Sequence, residues 1–170
     1  LPVSLVIARV AADYRLIDLV ALDEEKSRPP EIARLFWEGW RKYGRPCLVT
    51  FNGRGFDVPL LELCAFRYGL PIPDWYAEDK RNYDQPRYRY NMAGHFDLHE
   101  WLTNSGASRF QGGLSLAANL IGKPGKQDVA GSMVQDLWDA GRAADIHDYC
   151  CGDVLDTYFI FLRSRVLAGE

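Results

Sequence analysis

The segment from Asn52 to Pro59 places one carboxylate, Asp57, between a short apolar run and a helical pattern. A polar loop with two glycines is therefore predicted to leave a strand and to bring Asp57 to the start of the next helix. In open α/β sheets ligands bind beside the C-terminal ends of the strands, which is where this loop begins. Glycines permit close backbone approach to a phosphate or nucleotide. The alternative is structural: Asn52 and Asp57 cap the helix, with Pro59 in its first turn.

A second candidate pair, Tyr149 and Asp153, is separated by four positions in a helical pattern. Side chains at this spacing lie one turn apart on the same helix face, so the phenol and the carboxylate point together. In a two-metal phosphodiesterase such an aspartate binds a cation while the phenol orients the attacking water. The alternative is a surface aspartate beside a half-buried tyrosine, and the nearby Asp148 and Asp156 leave the choice of carboxylate open.

His95 and His99 have the same spacing, with Asp97 between them. On one helix the two histidines could share a face and bind zinc. The His-Glu-x-x-His order of metalloproteases is absent because the glutamate, Glu100, follows His99. A zinc-dependent hydrolase that uses His95 and His99 remains a separate hypothesis. It predicts zinc in the purified protein. Asp97 is interpreted as the cap of a helix that begins there, with a role in shaping a nuclease site as the alternative.

The stretch from Tyr76 to Tyr90 interleaves aromatic and basic side chains, a mixture that stacks bases and contacts the phosphates of single strands. Four acidic residues balance four basic ones across 74–91, so only 85–91, with Arg87 and Arg89, is locally cationic. Contact with nucleic acid and a structural loop are both consistent with this composition.

The elements that must position these residues follow from hydrophobic periodicity. Apolar runs before and after residues 13–15 predict a hairpin over 3–22, and the run at 47–51 predicts a buried central strand. Residues 71–91 predict a long ordered loop. Helical patterns cover 31–43, 59–68, 97–102, 114–121, 132–140 and 143–167. Strands early in the chain and helices later favour an α/β or α+β architecture.

Length and composition set the class of protein. With 170 residues, 48% of them hydrophobic, we expect a single domain over 1–170. The net charge of −3 provides no large positive field, so any contact with nucleic acid must be local. Adjacent Cys150 and Cys151 are a poor arrangement for a disulfide framework. No secretory leader or membrane-spanning apolar run is found, which predicts a cytoplasmic location and no membrane partner.

Taken in order, the motifs resemble those of predicted 3′→5′ exonucleases related to the proofreading domain of family B DNA polymerases. The resemblance runs almost end to end. Residues 48–59 look like the second exonuclease motif, and Tyr149 to Asp153 looks like the tyrosine form of the third. Between them, three segments are also similar to the family: His95 to Leu98, Gly122 to Lys126 and Asp128 to Ser132.

The resemblance implies an RNase H-like α/β fold of the DEDD class, with a mixed central sheet flanked by helices. It implies hydrolysis of phosphodiester bonds at the 3′ end of single-stranded DNA or a frayed 3′ end, with RNA also possible. In this scheme Asp57 and Asp153 bind two Mg²⁺ or Mn²⁺ ions. Tyr149 then positions or helps to deprotonate the attacking water. Asn52, Gly53 and Phe56 would line the pocket for the terminal nucleotide.

One family feature has no counterpart in the sequence. The first motif, an Asp-x-Glu on the opening strand, is not found before Val3, and Asp13 and Asp18 in the hairpin do not replace it. We therefore expect the first strand and its two carboxylates upstream of Leu1. The alternative is a non-catalytic relative of the same fold that binds single-stranded nucleic acid without cutting it.

Overall fold

The computed structural model describes residues 1–123 and 133–170. Its chain divides into two compact units, one formed by residues 1–3 and 28–110 and the other by 4–27 and 111–170. Most of the segment from Gly122 to Lys126, and all of Asp128 to Ser132, lies outside the described residues. A single domain stays a prediction.

The elements, numbered along the chain, are β1 (Val6–Val10), β2 (Leu16–Ala21), α1 (Pro29–Lys42), β3 (Leu48–Thr50), α2 (Asp57–Tyr68), α3 (Pro73–Tyr76), β4 (His95–Asp97), α4 (Leu98–Leu102), α5 (Gly113–Leu120), α6 (Val134–Asp139) and α7 (Ala143–Leu167). A 3₁₀ turn covers Asn82–Asp84. The predicted helix over 143–167 is confirmed at both ends. The other predicted helices are confirmed to within a few residues.

The core of the first unit is built on α1. Pro29 and Pro30 start this helix, where proline has no helical hydrogen bond to lose. Its inward face buries an apolar stripe at helical spacing: Ile32, Ala33, Phe36, Trp37 and Trp40. The ring of Trp75, from the short helix α3, packs with its centroid 5.4 Å from that of Trp37 and 5.5 Å from that of Trp40. Residues 71–91 are therefore an ordered segment anchored by Trp75.

The strand predicted at 47–51 is present as β3, and it pairs in parallel with β4. The register places Thr50 opposite Asp97 and Leu48 opposite His95. The prediction of a buried central strand is wrong in detail, since β3 is half-buried and pairs with β4 alone among the described residues. The sequence did not indicate β4, because its residues His95, Phe96 and Asp97 include a single apolar side chain and so form no apolar run of the kind that predicted β3.

The second unit contains the predicted hairpin. Strands β1 and β2 pair antiparallel, with an irregularity in register at Arg9 and Val10. Tyr14 takes a left-handed backbone conformation in the turn (φ 67°), as expected where the chain reverses tightly. The long helix α7 packs on β1 and on α5.

The predicted mixed α/β class is confirmed. The described strands form two sheets of two strands each, one antiparallel and one parallel, and the two sheets belong to different units. A single central sheet of RNase H-like topology stays a prediction. Among the described helices, none combines the length and apolar character needed to cross a membrane.

Candidate active site

Asp57 lies at the first position of α2, directly after the loop that leaves β3. Its side chain is exposed, and a carboxylate is favoured there by the positive end of the helix dipole. The helix N-cap is Phe56, whose side chain makes no capping hydrogen bond. The alternative in which Asn52 and Asp57 cap this helix is therefore wrong, because the cap position falls between them.

The loop before Asp57 is tightly packed. Asn52 adopts a left-handed backbone conformation with φ 61°. Gly53 is buried, and a Cβ on it would lie 2.5 Å from the side chain of Thr50. Only glycine, which has no Cβ, avoids this clash. The two glycines that flank Arg54 thus allow the loop to fold back on the end of β3. No ligand has to be invoked for them.

Asp97 joins this loop to α4. Its carboxylate caps α4 by accepting hydrogen bonds from the backbone N–H groups of His99 (3.0 Å) and Glu100 (3.4 Å), so the predicted cap is confirmed. The same carboxylate accepts from the backbone N–H groups of Asn52 and Arg54, both at 2.9 Å. No sequence pattern indicates these two contacts, because they join positions more than 40 residues apart.

Arg54 was not singled out from the sequence, yet its side chain is almost buried, with 11% of it exposed. The guanidinium donates to the carbonyl oxygens of Tyr88 (3.3 Å), Asn91 (3.4 Å) and His95, and it pairs with Glu100 at 3.3 Å. Burial lowers the pKa of Arg54, while the charge of Glu100 opposes the shift. Arg54 therefore holds the segment before β4 against the loop before α2.

The zinc hypothesis rested on His95 and His99 sharing one helix face, and this premise is wrong. His95 lies in β4 with its Nε2 2.8 Å from the hydroxyl oxygen of Thr50, whereas His99 lies in α4. The ring of His99 packs edge-on against Phe51 and Phe110, with centroids 5.7 and 6.2 Å away. Burial, reinforced by the charge of Arg54, lowers the pKa of His95 to about 4, so this imidazole is neutral at physiological pH.

A cleft of about 500 Å³ opens in the first unit, a size suited to a nucleotide. Three of the five residues predicted to bind substrate line it: Asn52, Arg87 and Arg89. Gly53 is buried in the loop, and Phe56 is 64% exposed; neither lines the cleft.

The two arginines of this cleft are held by glutamates. Arg87 donates twice to Glu62, at 2.9 and 3.1 Å, and its guanidinium lies 5.1 Å from the ring centre of Tyr76. Arg89 pairs with Glu100 at 2.9 Å. About half of each arginine side chain remains exposed. The segment is therefore structurally anchored and still presents cationic groups to solvent, so the two interpretations made from the sequence are compatible.

In the second unit, α7 carries Tyr149 and Asp153 side by side, as their spacing predicted. Burial raises the pKa of Tyr149 to about 12, and the negative charge of the nearby Asp153 adds to this shift. The phenol is therefore protonated at neutral pH. Asp148 is exposed on the same helix.

Asp156 occupies a different environment from Asp153. It is buried, and its carboxylate accepts from the Lys123 ammonium at 2.6 Å. The ammonium also lies 4.5 Å from the ring centre of Phe159. Because Asp153 lies beside Tyr149 at the spacing of the third motif, it is the stronger candidate for the carboxylate of that motif.

His147 is a further residue that the sequence did not single out. It is buried on α7, with Nδ1 2.8 Å from the hydroxyl oxygen of Ser4 and Nε2 3.0 Å from the backbone carbonyl oxygen of Glu24. Both ring nitrogens thus contact the segments that flank the hairpin. These contacts hold α7 against the segments that flank the hairpin, at a position two residues before Tyr149.

The carboxylates of Asp57 and Asp153 are hard oxygen donors of the kind that Mg²⁺ and Mn²⁺ prefer. Asp57 belongs to the first unit and Asp153 to the second. Within the described parts of the chain, no cluster of three or more His, Cys, Asp or Glu side chains could hold a metal ion. The donor chemistry of the two aspartates suits a divalent cation, and each unit by itself provides one of the two candidate ligands.

Comparison with known proteins identifies the family. Residues 1–170 match the model of a family described as predicted 3′-5′ exonucleases related to the exonuclease domain of PolB. No curated protein and no solved structure matches the chain. The family match covers every residue, and it confirms the resemblance inferred from the motifs. The chain therefore belongs to this family of predicted 3′-5′ exonucleases related to the PolB exonuclease domain.

Proposed function

We propose that this protein is a metal-dependent 3′→5′ exonuclease that releases nucleoside monophosphates from the 3′ end of single-stranded DNA. The observation that carries the proposal is the placement of Tyr149 beside Asp153 on α7, close enough for the carboxylate to raise the pKa of the phenol, in a chain that matches the exonuclease family along its whole length. A phenol beside a carboxylate is the pair that the third motif of this chemistry needs.

In this proposal Asp57 and Asp153 hold the divalent cations. Bound Mg²⁺ or Mn²⁺ ions would lower the pKa of the attacking water and stabilise the charge on the leaving 3′ oxygen. Tyr149 supplies a phenol oxygen beside Asp153 on α7. A water molecule bound near the Asp153 carboxylate would therefore lie close to this phenol. The protonated phenol orients a water molecule by hydrogen bonding, a role that needs only its position.

The substrate contacts belong to the cleft of the first unit. Arg87 and Arg89 each expose about half of their side chains there, and exposed guanidinium groups form paired hydrogen bonds with phosphate oxygens. Asn52 lies on the same cleft, while Gly53 shapes the loop and Phe56 offers an exposed ring for base stacking. Such contacts to backbone and base faces suit a single strand or a frayed 3′ end, of DNA or RNA.

We also infer an RNase H-like fold of the tyrosine-containing DEDD type with two metal ions. The support is the order of the motifs and the family match. The parallel pairing of β3 with β4 is compatible with such a sheet, because it places the end of β3, which leads to Asp57, beside the end of β4.

Incubation of the natural full-length protein with single-stranded DNA labelled at its 5′ end tests this function. With Mg²⁺ or Mn²⁺ we expect stepwise shortening of the labelled strand from its 3′ end, and EDTA should abolish it. The same oligonucleotide with phosphorothioate linkages at its 3′ end should resist digestion. Binding of the DNA without shortening under either metal would instead support the non-catalytic relative that binds single strands.

A further inference from the structure

The Asp97 carboxylate is more deeply embedded than a helix cap requires. The residue is 4% exposed, and its two oxygens accept from four backbone N–H groups, two in α4 and two in the loop before α2. A capping aspartate needs only the two contacts within its own helix. The other two, to Asn52 and Arg54, tie down a loop that is remote in sequence.

Arg54 makes the reciprocal contacts. While its backbone N–H donates to Asp97, its side chain donates to the carbonyl oxygens of Tyr88, Asn91 and His95, the last of which lies two residues before Asp97. The backbone of each segment is thus bound by a side chain of the other. We call Asp97 and Arg54 together the clasp.

The loop held by the clasp has a backbone conformation that is unfavourable in the absence of other contacts. Asn52 is in the left-handed region at φ 61°, and Gly53 packs against Thr50 more closely than a side chain would permit. A non-glycine residue in the left-handed region costs free energy that neighbouring contacts must offset. Hydrogen bonds to a charged acceptor are stronger than those between neutral groups, so Asp97 can provide this compensation.

Asp57 follows Arg54 by three residues and begins α2. We propose that Asp97 is a positioning residue for Asp57: by fixing the backbone of Asn52 and Arg54, it sets where the Asp57 carboxylate stands when a divalent cation binds. The proposal rests on the proposed function, in which Asp57 is a metal ligand. Mutation of a group that orients a metal ligand without touching the metal typically lowers metal affinity by roughly 10-fold to 100-fold.

An Asp97→Asn variant removes this function with little change in shape. An amide keeps one acceptor oxygen but replaces the other with an NH₂ group, which cannot accept from a backbone N–H. Some of the four N–H groups must then lose their partner. Asp74→Asn is the matched control, because Asp74 is a half-buried carboxylate of the same unit that pairs with Arg41 and Arg45.

The first readout is amide hydrogen exchange of the metal-free proteins. We expect the amides of Asn52 and Arg54 to exchange at least about tenfold faster in Asp97→Asn than in the wild type, with α1 unchanged. Asp74→Asn should leave the loop at wild-type protection. The second readout is the affinity for Mn²⁺ alone, measured by the electron paramagnetic resonance of the free ion. It should fall about tenfold or more in Asp97→Asn, as in Asp57→Ala.

The outcomes separate this inference from the proposed function. If the wild type shortens DNA but Asp97→Asn keeps wild-type loop exchange or wild-type Mn²⁺ affinity, the inference is overturned and the exonuclease stands. Faster exchange throughout the first unit with unchanged Mn²⁺ affinity assigns Asp97 a purely structural role and also overturns it. If Asp97→Asn does not fold, Arg54→Lys tests the clasp by the same two readouts. A wild type that neither cuts DNA nor binds Mn²⁺ removes the proposed function itself.

Discussion

Burial and the negative charge of Asp153 raise the pKa of Tyr149, so the phenol keeps its proton at neutral pH. A phenol that retains its proton can orient a water molecule, but it cannot take a proton from that water. Of the two roles that the family resemblance left open, the raised pKa favours positioning over deprotonation. Asp153 follows Tyr149 by four positions on α7, as the third motif requires, whereas Asp156 is buried in an ion pair with Lys123.

Replacement of Tyr149 by phenylalanine tests this role. Loss of the hydroxyl should lower the single-turnover rate of cleavage by about 10²-fold, because a misplacement of reacting groups by about 1 Å costs on that order. The affinity for single-stranded DNA should stay at the wild-type value. Tyr68→Phe, at an exposed tyrosine of α2, is the control and should retain the wild-type rate. An unchanged rate in Tyr149→Phe would show that the phenol takes no part.

His95 predicts how stability depends on pH. Burial lowers its pKa to about 4, below the ordinary value of 6.5, so the folded state binds fewer protons than the unfolded state between these values. Its contribution is therefore complete above pH 6.5 and is lost as the pH falls towards 4. The free energy of unfolding should drop by about 2 kcal/mol between pH 7 and pH 5 from this residue alone.

Denaturant titrations at the two pH values measure this drop, with His95→Gln as the comparison. Glutamine can still hydrogen-bond to Thr50 but does not titrate, so the variant should lose about 2 kcal/mol less between pH 7 and pH 5 than the wild type does. Equal losses in the two proteins would mean that His95 accepts a proton at its ordinary pKa.

At the scale of elements, success of the sequence predictions follows the strength of the apolar pattern. Helix α7 was predicted at its observed ends because 25 residues repeat the helical period many times. Strand β3 was predicted because it lies in a continuous apolar run, whereas β4, of the same length, has one apolar residue and was missed. The reason why His95 and His99 cannot share a helix face was missed with it. Contacts such as Asp97 to Asn52 depend on tertiary packing, which no local pattern encodes.

A pair of glycine substitutions tests the packing of the loop before α2. Gly53→Ala should destabilise the protein by about 1–3 kcal/mol, because the new Cβ would meet the side chain of Thr50 at 2.5 Å. Gly39→Ala should instead stabilise it by about 0.5–1 kcal/mol, since Gly39 lies within α1 with nothing within 4 Å of the added atom. Thermal unfolding of both variants shows whether each change in stability has the expected sign. A Gly53→Ala variant as stable as the wild type would show that the loop is more loosely packed.

The segment that carries Arg87 and Arg89 predicts a change in salt dependence. If each arginine contacts one phosphate, its replacement by alanine should lower the slope of log K against log salt by about 0.7 for a single strand. Arg41→Ala is the matched control, because Arg41 is also half-exposed and paired with a carboxylate, that of Asp74. Fluorescence anisotropy over a salt series measures the slopes. Identical slopes in all proteins would assign Arg87 and Arg89 to the structure of the segment.

At the scale of the whole molecule, the order of motifs identified the family and the sequence predicted the β1–β2 hairpin, but the pairing of β3 with β4 could not be predicted from it. Motif order is a property of the chain from end to end, and the family match likewise covers residues 1–170. Strand pairing depends on contacts distant in sequence, and the described strands form two pairs in two compact units. The carboxylates that the proposed reaction needs are divided between those units, Asp57 in one and Asp153 in the other.

The most direct test of the central claim is the rate of 3′ shortening by Asp57→Ala and Asp153→Ala in the natural full-length protein, with Asp148→Ala as the control. Asp148 is an exposed carboxylate of the same helix as Asp153, so its loss should leave the rate unchanged. We expect each of the other two variants to lose about 10³-fold or more of the rate in Mg²⁺ while remaining folded. Wild-type shortening by either variant would contradict the assignment of Asp57 and Asp153 to the reaction.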